Sequence, residues 1–200
     1  SVLSDTRINN YASIRDNQNT SLTGSGTVNP SKTIGVVKAG GTKDYENLTV
    51  PWKIETNTNQ QEVSNLIIED RYQLISGANS SALELLADTL VVTASDSTEP
   101  LTLNTDYTVS IVRETKTLAD GTTSEMETGF RIEMIGAYQT TSATITANFK
   151  TRFDVPKQIA LGSSSSRFSN SAFAHYTDVA GNQQTEASET NTWLDANWLK

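Results

Sequence analysis

Two features of this 200-residue sequence predict an all-β fold. Residues that favour strands (Thr, Val, Ile and Tyr) alternate with turn-forming clusters of Asn, Asp, Gly and Ser about every ten residues. Within segments such as 48–55, apolar and polar residues alternate one by one, as in a strand with one buried face. Many short strands separated by regular turns are typical of an immunoglobulin-like β-sandwich, so this is the fold class that we predict, with a short helix in one connection.

The same patterns place the individual elements. Tyr107–Val112 and Gly129–Ile135 are predicted to pair as neighbouring strands, and Ala143–Phe153 is predicted as one long strand. Pro51 has no N–H for a strand ladder, so its strand is expected at a sheet edge or with a bulge. Ser81–Asp88 is the segment that favours the short helix.

The composition argues against several classes of function. The net charge is −8 and the 15 Lys and Arg residues are scattered, which argues against nucleic-acid binding. The chain has no cysteine, so disulfides and thiolate sites are excluded, and this suits an exported bacterial surface protein. No apolar run approaches the roughly 20 residues that cross a bilayer, so any export signal or anchor is expected outside this sequence. We predict no metal or cofactor, because no cluster of His, Cys or carboxylates has a suitable spacing.

Three polar residues share the inner faces of predicted strands. Because side chains alternate between faces along a strand, Lys38, Asp70 and Asn170 each lie on the face of the apolar residues in their own segment. A single strand lysine usually reaches solvent, and a single asparagine near a strand end usually caps a turn. Three unpaired buried polar groups would be costly. We therefore predict that the three side chains meet.

Lysine, asparagine and a carboxylic acid together can form an isopeptide bond without an external enzyme. Burial favours the neutral amine of Lys38, which can attack the side-chain carbonyl of Asn170 with loss of ammonia. A buried, protonated Asp70 can donate a hydrogen bond to that carbonyl and carry protons. Trp52 is expected to keep water away. Glu69 remains an alternative acid and Asn148 an alternative acceptor, although both fall on outward-facing positions.

Four motifs resemble the collagen-adhesin type of immunoglobulin-like domain, which occurs in cell-wall-anchored adhesins and pilins of Gram-positive bacteria. These motifs are Lys38-Ala39-Gly40, Trp52–Asn57, Ile68–Asp70 and Phe168–Ala172. The resemblance covers roughly residues 34 to 178. It implies that Lys38 and Asn170 are the bonded pair and that Asp70 is the catalytic acid. The sequence departs from the family after the aspartate, where Arg-Tyr-Gln replaces the usual Thr-Leu-Pro.

The two ends of the sequence resemble internal segments. The surroundings of Asn10 match those of Asn170 at an offset of 160 residues, and Lys200 matches Lys38 at an offset of 162. Near-equal offsets predict tandem units of about 160 residues. Asn10 and Lys200 would then be available for a crosslink between repeats.

This phasing predicts three parts. Residues 1–22 would be the last strand of a preceding repeat or an N-terminal extension, residues 31–186 the immunoglobulin-like adhesin domain, and residues 190–200 the first strand of a following repeat. The predicted partners of the domain are therefore the neighbouring repeats of the same polypeptide.

The predicted function is structural rather than enzymatic. We expect a stalk or repeat domain of an extracellular adhesin on the bacterial surface, with the crosslink joining its first and last strands. One alternative is that the domain itself binds a host matrix protein or a glycan. Another is a phage or S-layer β-repeat without a crosslink.

Overall fold

Two separate units make up the fold, residues 1–33 and residues 34–200. The structure is a computed structural model, and it describes residues 8–15, 21–28, 33–77, 80–163 and 166–193. In the first unit, β1 (Ile8–Arg15) and β2 (Ser21–Val28) form a two-stranded antiparallel sheet. Its register pairs Asn10 with Gly26.

The second unit contains ten strands among its described residues. In chain order they are β3 (Val36–Gly40), β4 (Thr49–Thr56), β5 (Val63–Arg71), β6 (Leu83–Ala94), β7 (Tyr107–Thr117), β8 (Thr123–Met134), β9 (Thr140–Thr141), β10 (Ile145–Phe153), β11 (Arg167–Thr177) and β12 (Gln183–Trp193). A 3₁₀ turn spans Gly136–Tyr138, and α1 spans Val155–Ala160. One sheet has the order β3-β4-β10-β6. The other has the order β12-β11-β5-β8-β7, with β9 paired to β5.

The two sheets of the second unit pack face to face as a sandwich. Their inward residues form one apolar core, in which aromatic rings from opposite sheets meet. The rings of Phe130 on β8 and Phe149 on β10 are 4.9 Å apart, edge to face, and those of Phe153 and Phe168 are 4.7 Å apart. Such pairs stabilise a core by more than their buried area alone.

Strand predictions with a clear period of two are confirmed. β7 and β8 pair antiparallel, with Val112 opposite Gly129 and Tyr107 opposite Met134. β10 covers all but the first two residues of the long strand predicted at 143–153.

The helix predicted at Ser81–Asp88 is wrong, because this segment leads into β6. Leu83 pairs with Phe153 and Leu85 with Thr151, so the ladder with β10 overrides the helical preference of the leucine-rich run. The short helix is α1 instead. Its N-terminus is capped by Asp154, whose carboxylate accepts a hydrogen bond from the Lys157 backbone N–H at 2.9 Å.

Two further strand predictions need correction. The strand of Pro51, β4, is not at an edge, since it lies between β3 and β10. The β3 ladder ends at Trp52, so the missing N–H of Pro51 falls one residue beyond it. β11, which carries Asn170, is not the last strand, because β12 follows it and pairs along its whole length. No helix among the described residues is long and apolar enough to cross a membrane.

Candidate crosslinking site

Lys38, Asp70 and Asn170 meet in the core between the two sheets. The side chains of Lys38 and Asp70 are fully inaccessible to solvent, and Lys38 Nζ lies 3.0 Å from Asp70 Oδ2. The amide Nδ2 of Asn170, also fully buried, donates to the same Asp70 oxygen at 3.4 Å. The carboxyl group of Asp70 therefore bridges the amine and the amide.

Strand register brings these three side chains together. On the six-stranded face, Asp70 on β5 lies opposite Ala172 on β11, so Asn170 is its diagonal neighbour on the same inner face. Lys38 extends from β3 in the other sheet. Packed sheets are about 10 Å apart, a gap that the long lysine side chain from one sheet and the Asp70 side chain from the other span together.

Gly129 on β8 allows a close approach to the backbone of Asp70. It has a φ of 156°, and a Cβ atom at this position would overlap the carbonyl oxygen of Asp70. Only glycine fits this approach without displacing one of the strands. β8 thereby fixes the backbone that carries the Asp70 carboxyl group.

Two aromatic rings enclose the amine of Lys38. Its Nζ atom lies 5.0 Å from the centroid of the Trp52 ring and 5.2 Å from that of Phe149. The Trp52 indole N–H donates to Thr151 Oγ1 at 2.8 Å, which holds the ring in place. Trp52 is 2% exposed. The rings thus cover an amine that has no solvent-accessible surface. The contact of Phe149 with the amine was not predicted from the sequence.

Burial shifts both ionisable groups towards their neutral forms. Loss of solvation lowers the pKa of Lys38 from its ordinary value, against the opposing attraction of Asp70. Loss of solvation likewise raises the pKa of Asp70, against the opposing attraction of Lys38. Both pKa shifts are therefore towards the neutral amine and the protonated acid, which are the forms that nucleophilic attack requires.

Two oxygens of the site have no hydrogen-bond partner among the described residues. They are Asp70 Oδ1 and Asn170 Oδ1. An unsatisfied buried polar atom costs about 1–3 kcal/mol. A half-turn of the Asn170 amide would bring its oxygen to the Asp70 carboxyl group, where a protonated acid could donate to it. The same contact would polarise the carbonyl for attack.

The alternative acid and acceptor lie elsewhere. Glu69 points to the outer face of its sheet, where its carboxylate contacts Arg71 Nε at 2.6 Å, Arg131 at 3.2 Å and His175 Nε2 at 3.0 Å. Asn148 is exposed on the outer face of β10. Neither residue is among the contacts of the Lys38 amine.

Of the two residues predicted for a crosslink between repeats, only Asn10 lies among the described residues. Asn10 lies on β1 in the first unit, and its side chain is exposed. Lys200 lies outside the described residues, as does all of the predicted first strand of a following repeat beyond Trp193. The repeat boundaries stay a prediction.

Several known structures of bacterial surface proteins resemble this chain. No protein-family model and no curated protein matches the sequence. The collagen-binding subdomain of the surface protein ACE of Enterococcus faecalis superposes with a TM-score of 0.53 at 14% identity, over 80% of this chain and 96% of that one. The likeness establishes the fold. The prediction of an immunoglobulin-like sandwich is confirmed.

Two further structural neighbours are an adhesin domain and a pilin subunit. The collagen-binding domain of a Staphylococcus aureus adhesin has a TM-score of 0.48 at 13% identity, over 80% of this chain and 98% of that one. BcpA, the major pilin subunit of Bacillus cereus, has a TM-score of 0.45 at 10% identity, over 92% of this chain and 47% of that one. The neighbours are thus adhesin domains and pilins of Gram-positive bacteria.

Proposed function

We propose that this chain is a structural stalk or repeat domain of a Gram-positive surface adhesin, held together by an isopeptide bond between Lys38 and Asn170. One observation carries the proposal. A lysine amine and an asparagine amide contact the same buried carboxyl oxygen, at 3.0 Å and 3.4 Å, in a pocket walled by aromatic rings. The sandwich fold shared with adhesin domains supports it.

In the reaction, the amine of Lys38 replaces the amide nitrogen of Asn170, which leaves as ammonia. The neutral Nζ of Lys38 attacks Cγ of Asn170, and the Asp70 acid donates a hydrogen bond to the developing oxyanion. One proton passes from Nζ through the Asp70 carboxyl group to Nδ2 of Asn170. The C–N bond to Nδ2 then breaks, ammonia leaves, and an amide joins Nζ to Cγ. The reaction occurs once per chain and needs no cofactor.

The bond would join the two sheets rather than two strands of one sheet. Lys38 belongs to the four-stranded sheet and Asn170 to the other. Force that pulls β3 away from β11 would therefore act on a covalent bond, instead of on side-chain packing alone. This suits a domain that holds a binding region away from the cell wall.

The proposed setting is an extracellular array of such domains, anchored to the cell wall through a segment outside this sequence. Its partners would be neighbouring repeats, and Asn10 and Lys200 would react between repeats or between chains. Such links would be separate from the internal Lys38–Asn170 bond.

Intact-mass spectrometry of the denatured protein tests the proposal. We expect the chain to be lighter than its sequence by one ammonia, because the bond survives denaturation. The Asn170→Ala variant should have the full mass of its sequence. Asn148→Ala, which removes an exposed asparagine, should still be lighter than its sequence by one ammonia. A wild-type mass equal to the sequence value contradicts the internal bond. Covalent multimers in the same spectra would report links through Asn10 and Lys200.

The rate of bond formation should depend on pH in a bell-shaped manner. The reacting form has a neutral Lys38 and a protonated Asp70. Acid slows the reaction as the pH falls through the lowered pKa of Lys38, and alkali slows it as the pH rises through the raised pKa of Asp70.

The measurement starts from chain purified in denaturant and refolded at a series of pH values. Samples are quenched in denaturing acid, and their mass is recorded over time. A rate that rises steadily up to the ordinary lysine pKa of 10.5 would indicate an exposed amine and contradict the role of Asp70.

A further inference from the structure

Side chains of β12 hold the beginning of β3. The carboxylate of Glu186 accepts a hydrogen bond from the Ile34 N–H at 2.7 Å and from the Gly35 N–H at 3.0 Å. Two residues along β12, the Ser188 hydroxyl accepts from the backbone N–H of Lys38 at 3.1 Å. Three backbone donors of the β3 segment are thus bound by two side chains of another strand.

The conformation of Gly35 makes the Glu186 contact possible. Successive N–H groups of an extended strand point in opposite directions, so one carboxylate cannot normally bind two of them. Gly35 has a φ of 79°, which breaks the alternation and turns both N–H groups towards Glu186. A Cβ atom here would overlap the Thr58 hydroxyl, so this conformation is reserved for glycine.

Tyr176 orients the Glu186 carboxylate from β11. Its hydroxyl donates to Glu186 Oε1 at 2.7 Å. Burial and the hydrogen bond to Glu186 raise the pKa of Tyr176, so the hydroxyl remains a donor at physiological pH. Tyr176 shares its strand and its inner face with Asn170, and therefore the Glu186 contact links the strand of the asparagine to the strand of the lysine.

These contacts join the two sheets, between which the described strands form no backbone ladder. β3 is an edge strand whose ladder partner is β4, and β12 is an edge strand of the opposite sheet. Lys38 and Asn170 therefore reach each other across two sheets. The Glu186 and Ser188 hydrogen bonds connect the β3 segment to β12, which pairs with β11.

We infer that Glu186 and Ser188 are positioning residues for the crosslinking reaction. The inference rests on the proposed isopeptide bond. Attack requires the amine nitrogen within about 3–3.5 Å of the amide carbon, and a displacement of 1 Å can cost about 100-fold in rate. Ser188 fixes the backbone of Lys38 itself. Glu186 binds Ile34 and Gly35, which directly precede β3, so the two side chains together hold this segment at two separate points.

The test compares rates of ammonia loss after refolding, for wild type, Glu186→Gln, Ser188→Ala and the double variant Glu186→Ala/Ser188→Ala. We expect the double variant to react between about 10 and 100 times more slowly. Glu186→Gln should be slowed less, because its amide oxygen can still accept a hydrogen bond. The matched control is Glu189→Ala, on the outer face of β12, whose carboxylate binds the Ile75 N–H at 2.6 Å. It should react at the wild-type rate.

Two readouts separate positioning from general stability. Circular dichroism and a cooperative melt establish that each variant folds. The pH at which the rate is maximal should not move, because neither residue contacts Lys38 Nζ or the Asp70 carboxyl group. A variant that merely unfolds would lose the circular dichroism signal together with the reaction.

The outcomes distinguish the two proposals. If the wild type loses no ammonia, the isopeptide bond is wrong and the positioning role falls with it. If the wild type reacts and the folded double variant reacts equally fast, the positioning role alone is overturned. Should the double variant fail to fold, the single variants decide. Wild-type rates in both Glu186→Gln and Ser188→Ala would then overturn the inference.

Discussion

Replacing Lys38 with methionine should lower the free energy of unfolding by about 4 kcal/mol. The bond would close a loop from residue 38 to residue 170, and by analogy with a disulfide of that span its removal restores this much freedom to the unfolded chain. For a domain of this size the melting midpoint should fall by about 10 °C. Methionine has about the volume of lysine, so the variant leaves no large cavity. It also leaves the buried Asp70 carboxyl group without its partner at 3.0 Å, which is itself destabilising, so the measured loss is an upper bound on the effect of the bond.

Thermal melts of a matched control variant separate loss of the bond from the general effect of replacing a lysine with methionine. Lys53→Met, on neighbouring β4, removes an amine that is 47% exposed and pairs with Glu55 at the surface. Exposed pairs contribute about 0–1 kcal/mol, so this variant should melt close to wild type. Equal midpoints for Lys38→Met and wild type would show that no crosslink contributes to stability.

Replacing Asp70 should leave the sandwich folded but stop the reaction. A positioned acid contributes about 10²–10⁴-fold to a rate. Asp70→Asn should therefore lose ammonia at least about 100 times more slowly than the wild type. Asp70→Ala should be slowed in the same way. Because asparagine has nearly the volume of aspartate, a slow reaction in Asp70→Asn is not caused by a cavity. Intact mass after timed refolding measures the effect, and circular dichroism establishes the fold.

The neighbouring glutamate provides the control for this prediction. Glu69→Gln removes the carboxylate that binds Arg71, Arg131 and His175 on the outer face of the sheet. It should crosslink at the wild-type rate. Fast crosslinking by Asp70→Asn, combined with slow crosslinking by Glu69→Gln, would identify Glu69 as the acid.

Local periodicity was sufficient to predict which side chains point inward. Strand alternation depends only on neighbouring residues, and Lys38, Asp70 and Asn170 are all buried where that alternation places them. The same reasoning failed at Ser81–Asp88, because the leucine-rich run favours a helix locally. Pairing with β10 decides its structure, and that contact is 60 or more residues away in sequence.

The remaining parts of the site depend on tertiary contacts. Glu186 is in a polar strand, and nothing in its sequence surroundings distinguishes it from a solvated glutamate. Phe149 shares the face of Ile145 and Ala147 in its strand, but its contact with Lys38 depends on its place opposite Trp52 in the ladder between β4 and β10. The sequence also contains a helix-start pattern that was not used in the prediction. Asp154 followed by Val155 and Pro156 is a typical helix start, and it precedes α1.

The position of β12 has a mechanical consequence for the proposed stalk. β12 follows Asn170 in the chain, so residues 171–193 lie outside the loop that the covalent bond would close. Tension that arrives through the chain after Trp193 loads the β11–β12 ladder one pair at a time and peels it open. Full extension of these roughly 23 residues, by about 75 Å, also requires residues 171–177 of β11 to separate from β5 before the load reaches Asn170. Under a sudden pull, the domain would therefore first extend by opening the β11–β12 ladder, which dissipates energy. Only then would the covalent bond transmit the force.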